Sequence, residues 1–518
     1  MPIPWGFEHC GIIGGVPKRT RYYWNEQVLR AFERVAGVSI SGYNVAESGQ
    51  QEETGIRGDT EVRQCDAGYQ SGEHLTITVN QPTEYTDVVM RMKNRVQPPL
   101  DGDAELESLN AHSQYFKQTF ASYQPSDDEY NWILYVMEDY YKEIHTSCEG
   151  WDSYENFLTC LHLLEMTSSP GYPYNKDQPT IGKWLGFNGL LFDEDRVALL
   201  WSSVQTLMQD EEVDCLWRVF IKKEPHKLDK VANKRWRIIQ CCPLHVQVLW
   251  QMLFARQNDS EIRAAMTLPS VQGMRIPYGG WKYYYNKWIR NGTIMGADKK
   301  AWDWTVQEWM IRLDLDLRIR LTNGNEKWIK QANKLYRNAF YDCKILLTNG
   351  MILQQVKPGV MKSGCVNTIS TNSHCQVMLH LLYCYKKNIN YIPMVVAVGD
   401  DTLNHPKHLE DIPLMESFGV IIKSVSDTLE FLGREWDEKG PRAMYTSKHL
   451  FRLATQEDDL VAETLDAYLR EYVNCDKEYN FLIQLAMELS LISKVQSRSS
   501  YKFWLDNPLA EWHKIRDL

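Results

Sequence analysis

Apolar positions along this chain fall into segments of two periods, and the period of each predicts its element. From about Asp127 to Leu164 aromatic and aliphatic residues return at helical spacing, as at Trp132, Tyr135, Val136 and Tyr140. The next segment, Ser168 to Tyr174 (SSPGYPY), breaks any regular element. Val246 to Phe254 is again helix-like, and Asn291 to Ala297 predicts a strand feeding a loop from Asp298 to Trp304. Thr305-Val306-Gln307-Glu308 has the T-x-x-E form of a capping box. Val306, Trp309, Leu313 and Leu317 supply the apolar stripe of the helix it would start. A glycine-bearing loop from Lys357 to Gly364 precedes a helix over about Val366 to Tyr385, then a strand, turn and strand centred on Gly399-Asp400-Asp401. From about Ala462 two segments, AETLDAYLREYV and EYNFLIQLAMELSLISKV, carry the 3.6-residue period. Ser41 to Gly72, rich in Gly, Gln, Glu and Ser, predicts loop. Helices and strands mix without βαβ alternation, so the expected class is α+β.

Composition narrows this only a little. The 518 residues are 44% hydrophobic and 24% charged, which excludes collagen-like, coiled-coil and wholly disordered chains. No apolar run approaches the roughly 20 residues of a membrane-spanning helix, and the start, MPIPWGFEHCGIIGG, lacks a secretory pattern. A soluble, non-secreted chain without a transmembrane segment is expected. Twelve cysteines without a CxxC pair point to a reducing compartment, not a disulfide framework. His145, Cys148, Cys160 and His162 have a spacing shorter than usual for zinc, and buried thiols with partly exposed histidines are the expectation there.

Charge changes the picture more. The chain carries −10 overall, yet Arg218 to Arg237 holds eight basic residues against Glu224 and Asp229. Such a run is either a phosphate-contact element or a solvated face.

Three groups of residues carry chemistry. Val395 to Leu403 (VVAVGDDTL) predicts a hairpin whose turn Gly399 permits, with Asp400 and Asp401 at its tip. Paired carboxylates on a rigid support are the oxygen ligands that Mg²⁺ requires. Asp298 and Asp303, in GADKKAWDWTV, form a second acidic pair. Asp298 would end a strand; Asp303 would serve a ligand hydroxyl or simply sit at a helix start. Third, Ser363-Gly364 leads into a helix on which Thr368 and Asn372 share a face. That pair could bond a sugar hydroxyl or be satisfied within a core.

In combination these groups resemble the palm of viral RNA-dependent RNA polymerases. The family order D-x4-D, S-G-x3-T-x3-N and G-D-D falls at Asp298/Asp303, Ser363/Thr368/Asn372 and Asp400/Asp401. Phe220 to Ile239 resembles the fingers motif lining the nucleotide channel, Ser168-Ser169-Pro170-Gly171 the loop that admits template, and Phe431 to Arg434 the primer grip, although Gly433 departs from the commoner form. The K-x-E-P-H form and the S-S-P-G loop are similar to those of sobemovirus-like polymerases, the sobemovirus, polerovirus and barnavirus group.

The resemblance implies a right-hand fold with an RNA-recognition-like antiparallel palm sheet and a helical thumb. Its expected parts are fingers with the N-terminal fingertip region (1–240), a first palm part (241–340), a fingers insertion (341–360), a second palm part (361–440) and a thumb (441–518). It implies template-directed RNA synthesis for a positive-strand RNA virus, with two Mg²⁺ or Mn²⁺ ions on Asp298, Asp400 and Asp401. Lys222, Arg235 and Arg237 would meet the triphosphate. Asp303, Asn372, Ser363 and Thr368 would test for the ribose 2′-hydroxyl. Lys423 would protonate pyrophosphate or be a surface lysine of its strand. Ser168, Ser169, Gly171 and Arg434 would touch template or primer. Expected partners are RNA template and product, NTPs, a genome-linked primer protein and other viral replication proteins, in host cytoplasm or at membrane-associated replication complexes. The competing expectations are a reverse transcriptase and an inactive RNA-binding scaffold of a replication complex.

Overall fold

The computed structural model of the chain describes residues 2–15, 23–42 and 75–508. From residue 43 on, the loop expected over Ser41 to Gly72 lies outside the described residues. Helices and sheets mix as the α+β reading expects.

Two sheets organise the central mass. The first has four antiparallel strands in the order Val396–Val398, Asp401–Asn404, Met295–Lys299, Ile422–Ser426. The helix Thr368–Lys387 packs on its Val396–Val398 edge and is backed by the helices Glu308–Thr322 and Asp127–Tyr141. The second sheet gathers strands from distant parts of the chain: Phe7–Ile12, Met351–Gln355, Lys344–Leu346, Leu216–Ile221 and Ile238–Cys241. One pair in it, Leu216–Ile221 with Lys344–Leu346, is parallel. A smaller sheet, Glu430–Phe431, Arg434–Asp437 and Gly440–Ala443, follows the first.

A large apolar core joins the two main sheets through Trp217, Trp250, Trp309, Trp328 and Tyr383. A second core joins a segment near the N-terminus to the C-terminal helices. Val28, Leu29 and Phe32 of the helix Glu26–Ala36 pack with Leu465, Phe481 and Leu482 of the C-terminal helices Val461–Glu471 and Asp476–Glu488.

The central helices also share a buried polar network. Asp314 accepts from Arg318 at 3.0 Å, Tyr336 at 2.6 Å, Thr371 at 2.8 Å and the His374 Nδ1 at 2.6 Å; the other nitrogen of His374 meets Glu261 at 3.0 Å. Two acids and two cations balance inside the core, the condition under which buried charge is tolerated.

Three local expectations change. The periodic segment Asp127 to Leu164 divides into helices Asp127–Tyr141 and Tyr154–Leu161. Asn291 ends the helix Gly280–Asn291, and the strand starts only at Met295. The helix after Asp303 starts at Glu308 with Gln307 as its cap, and no capping box forms. The Thr305 hydroxyl donates instead to Trp302 O at 3.2 Å, while Gln307 Nε2 bonds Thr305 O and Gly419 O at 2.9 and 3.0 Å. Tertiary partners outcompeted the local cap.

Candidate active site

The strand Val396–Val398 and its partner Asp401–Asn404 pair through Val398 and Asp401, which places Asp400 at the turn. Gly399 has φ +62°, a conformation that costs a residue with a Cβ about 1–2 kcal/mol. Its N–H donates to Ser373 Oγ at 2.8 Å, so the helix Thr368–Lys387 holds the turn in place. The neighbouring strand carries Asp298, which lies opposite Ser424 in the register. Both acidic segments therefore belong to one sheet. Asp298 is paired with Lys423, from the strand on its other side, and that carboxylate raises the Lys423 pKa. Partial burial and the charges of Asp400 and Asp298 push the Asp401 carboxyl up to about 6.

Lys299 lies buried in the same strand. Its ammonium donates to Thr402 Oγ1 at 3.2 Å; burial lowers its pKa to about 8, against the opposing pull of Asp400, Asp298 and Asp401. It is a fixed counter-charge that the sequence reading passed over. The signal was the Asp-Lys pair on a strand, which sends consecutive side chains to opposite faces.

Asp303 sits in the short helix Trp302–Thr305. Its carboxylate accepts from Ser363 Oγ at 2.8 Å and Asn372 Nδ2 at 3.1 Å. Trp302 Nε1 donates to Asn372 Oδ1 at 3.0 Å and fixes the amide's orientation. Burial and the nearby Asp400 raise the Asp303 pKa, while the two hydrogen bonds and Arg237 oppose the rise. Three of the four predicted sugar-reading residues thus meet. Thr368 does not join them through its donor: its hydroxyl lies 2.7 and 2.8 Å from Lys362 O and Cys365 O, closing the start of the helix.

The basic run is gathered around an acid, and its Arg237 is the member whose charge reaches Asp303. Glu224 contacts Arg237 at 3.4 Å, Lys222 at 3.6 Å and Lys448 at 3.1 Å, and these cations hold its carboxyl down to about 2 despite burial. His226 Nε2 accepts the Arg237 backbone N–H at 2.9 Å. Arg235 takes a different partner, the Tyr115 hydroxyl at 3.2 Å. Glu224 and Lys448 escaped the sequence reading because one looked like a diluting charge and the other lies more than 200 residues away. The acid in the K-x-E-P-H form was the available signal.

Two further groups lie around these elements. Ser168 O accepts from Ile181 N at 2.8 Å, and Ser169 Oγ from Gly171 N at 3.2 Å. Gly171 has φ +71°, and a Cβ there would come within 2.3 Å of Cys242 O, so only glycine lets this loop rest on the end of the Ile238–Cys241 strand. Arg434 is committed to Glu471 at 2.6 Å and Leu432 O at 3.1 Å, tying the small sheet to a C-terminal helix. His145, Cys148, Cys160 and His162 form no metal-ligand group among the described residues.

Comparison with known proteins adds the deciding observation: residues 136–455 match the family model for viral RNA-dependent RNA polymerase. The chain belongs to that family. The match takes in Asp298, Asp303, Ser363, Thr368, Asn372, Asp400 and Asp401. It also implies the right-hand polymerase fold and sets aside reverse transcription as the reading of these acids. Among curated relatives, protein P1-P2 of Pea enation mosaic virus-1 is 28% identical over 59% of this chain and 28% of its own length. Protein P2-P3 of Poinsettia latent virus is 26% identical over 76% of this chain and 37% of its own. The protein named RNA-directed RNA polymerase of Mushroom bacilliform virus is 32% identical over 45% and 60%. The chain therefore spans less than two thirds of each of these relatives. The sobemovirus-like resemblance holds across several replicase proteins, that of Southern cowpea mosaic virus included. Among the described residues, no helix of this polymerase-family chain is long and apolar enough to cross a membrane.

Proposed function

We propose that this chain synthesises RNA on an RNA template by nucleotidyl transfer, in the replication of a positive-strand RNA virus. The observation that carries the reading is the placement of Asp298, Asp400 and Asp401 on one sheet, next to an Asp303 held by Ser363 and Asn372. These three carboxylates, of which Asp401 is pushed up by its burial and by the charges of Asp400 and Asp298, form a hard-oxygen donor set suited to Mg²⁺ or Mn²⁺. Two bound ions would supply charge stabilisation to the attacking and leaving oxygens.

The chain's own residues do the rest. Lys222 and Arg237, pre-positioned by Glu224, would bind the triphosphate and offset the repulsion of the acids. Arg235 stands beside them. Asp303 would accept from the ribose 2′-hydroxyl, with Asn372 and Ser363 fixing its orientation. The primer 3′-hydroxyl would displace pyrophosphate at the α-phosphorus. Lys423, released from Asp298 as that acid turns to cation, would deliver a proton to the departing group. Ser168, Ser169 and Gly171 would guide template.

The finer partition follows the same reading: fingers 1–240 and 341–360, palm 241–340 and 361–440, thumb 441–518. The helices Glu26–Ala36, Val461–Glu471 and Asp476–Glu488 support one amendment, that residues 24–40 and 75–92 work with the thumb.

Primer extension on an RNA template tests the reading, with Asp400→Ala and Asp298→Ala beside the wild type. Expected is metal-dependent incorporation that falls about 10²–10³-fold in each variant, the equivalent of the several kcal/mol a metal site supplies. RNA binding should survive. Near-wild-type incorporation by Asp400→Ala would remove the carboxylate from its role, and an inactive wild type would favour the scaffold reading.

A further inference from the structure

Behind the acid-bearing sheet, on the far part of the helix Thr368–Lys387, three side chains outside the proposed chemistry converge. His380 and Cys384 lie one turn apart on the helix, and His408 comes from the turn Pro406–His408 that follows the Asp401–Asn404 strand. One ligand atom from each lies within 4.8 Å of the other two. The imidazoles stand 4.6 Å apart, centre to centre, and His380 and His408 are 3% and 1% exposed.

Both rings are oriented by one short stretch of backbone. His380 Nε2 donates to Tyr391 O at 2.9 Å and His408 Nε2 to Asn390 O at 3.0 Å. His408 is thereby left with Nδ1 as its lone-pair atom, the arrangement in which a carbonyl fixes the tautomer of a metal-binding histidine, whereas Cys384 Sγ lies 4.0 Å from His380 Nε2, so a metal held between them would replace that nitrogen's bond to Tyr391 O. The His408 Nδ1 is buried and has no hydrogen-bond partner. A buried acceptor of this kind carries a desolvation cost of about 1–3 kcal/mol unless something fills it.

From this geometry we infer that His380, Cys384 and His408 bind one Zn²⁺, with a water in the fourth position. The donor set is a thiolate and two neutral imidazoles, which suits zinc and not the oxygen-seeking Mg²⁺ of the acidic site. The i, i+4 pair on a helix is the usual spacing of two zinc ligands. Tetrahedral zinc needs ligand atoms roughly 3.3–3.8 Å apart, so binding would draw the three groups together by up to about 1–1.5 Å. Cys384 is a buried free thiol and must lose its proton to serve as a thiolate ligand. Binding therefore replaces the thiol proton, which leaves to solvent as the Zn–S bond forms. The ion would fasten the helix that holds the Gly399 turn to the segment leaving the same hairpin.

The test uses the full chain, stripped with chelator and reloaded with Zn²⁺ or Co²⁺. Cys384→Ser, His408→Ala and, as a control at another buried thiol, Cys160→Ser are compared with the wild type. Expected are one more tightly held Zn²⁺ per chain in wild type and Cys160→Ser than in Cys384→Ser, and a thiolate-to-cobalt charge-transfer band lost only in Cys384→Ser and His408→Ala. The difference between variants cancels metal held at the acids. Should His408→Ala fail to fold, Cys384→Ser alone decides. Equal zinc content in wild type and Cys384→Ser, or no such band in the cobalt-loaded wild type, would overturn the inference.

Discussion

Asp303 shows how a single carboxylate is tuned by what surrounds it. Burial and Asp400 push its pKa up, and the hydrogen bonds from Ser363 and Asn372 push back. Asn372 is itself held by Trp302, so the acceptor oxygen of Asp303 faces a fixed direction. A site built this way rejects a sugar that lacks the expected hydroxyl, because its polar groups are then left unpaired. Asn372→Ala should therefore lower the preference for NTP over dNTP by about tenfold or more, while folding survives. Parallel incorporation assays with the two nucleotide types read this directly. An unchanged preference would leave Asn372 a packing residue only. Lys423 carries a separate expectation. If it is the proton donor, Lys423→Arg should slow the chemical step far more than it weakens NTP binding, since Arg cannot release its proton. Single-turnover rates against NTP concentration separate the two effects.

At the scale of elements, the helix Thr368–Lys387 links the buried network to the acidic turn. Ser373 accepts the Gly399 N–H on one side, and His374, next along the chain, bridges Asp314 and Glu261 on the other. Ser373→Ala leaves that buried N–H unpaired, at a cost of about 1–3 kcal/mol. The turn should loosen, and incorporation should fall more than thermal stability does. His374 makes stability depend on pH. Burial alone would lower its pKa, but Glu261 and Asp314 raise it to about 9, above its ordinary value near 6.5. A group raised in this way stabilises the fold fully below about 6.5 and loses that contribution as pH climbs through about 9. The wild type should thus lose unfolding free energy between pH 7 and 10, and His374→Gln should be less stable at neutrality with a flatter profile. Denaturant unfolding across that range checks both.

For the whole molecule, the second core has a mechanical consequence. Phe32 near the start of the chain and Phe481 near its end have ring centres 5.8 Å apart, and Trp24 packs on Phe451 at 5.1 Å. The two ends cannot loosen independently, because each buries the other's apolar face. Phe481→Ala should cost about 3–5 kcal/mol and expose both the Glu26–Ala36 helix and the C-terminal helices to protease. Limited proteolysis followed by fragment mapping distinguishes this from cleavage at one end only. The chain's first strand is anchored elsewhere, at the edge of the five-stranded sheet where Phe7–Ile12 pairs with Met351–Gln355.

Local pattern alone determined a good deal of this protein. Hairpin spacing around Gly399 put Asp400 in a turn with Asp401 opening the strand after it, and the 3.6-residue period placed the helix bearing Asn372, because both depend on neighbours within a few residues. The order of the acidic and hydroxyl groups identified the family, and residues 136–455 match it. Other features were decided only when distant segments met. Thr305 and Gln307 abandoned a capping box for the partners Trp302 and Gly419, Thr368 spent its hydroxyl on its own loop, and Glu224 became the anchor of three cations, one of them Lys448. A hydrogen bond or ion pair between residues far apart leaves no period in the sequence. Its energy exists only once packing brings the partners together, and so the tertiary structure alone selected which of the predicted side chains share the site.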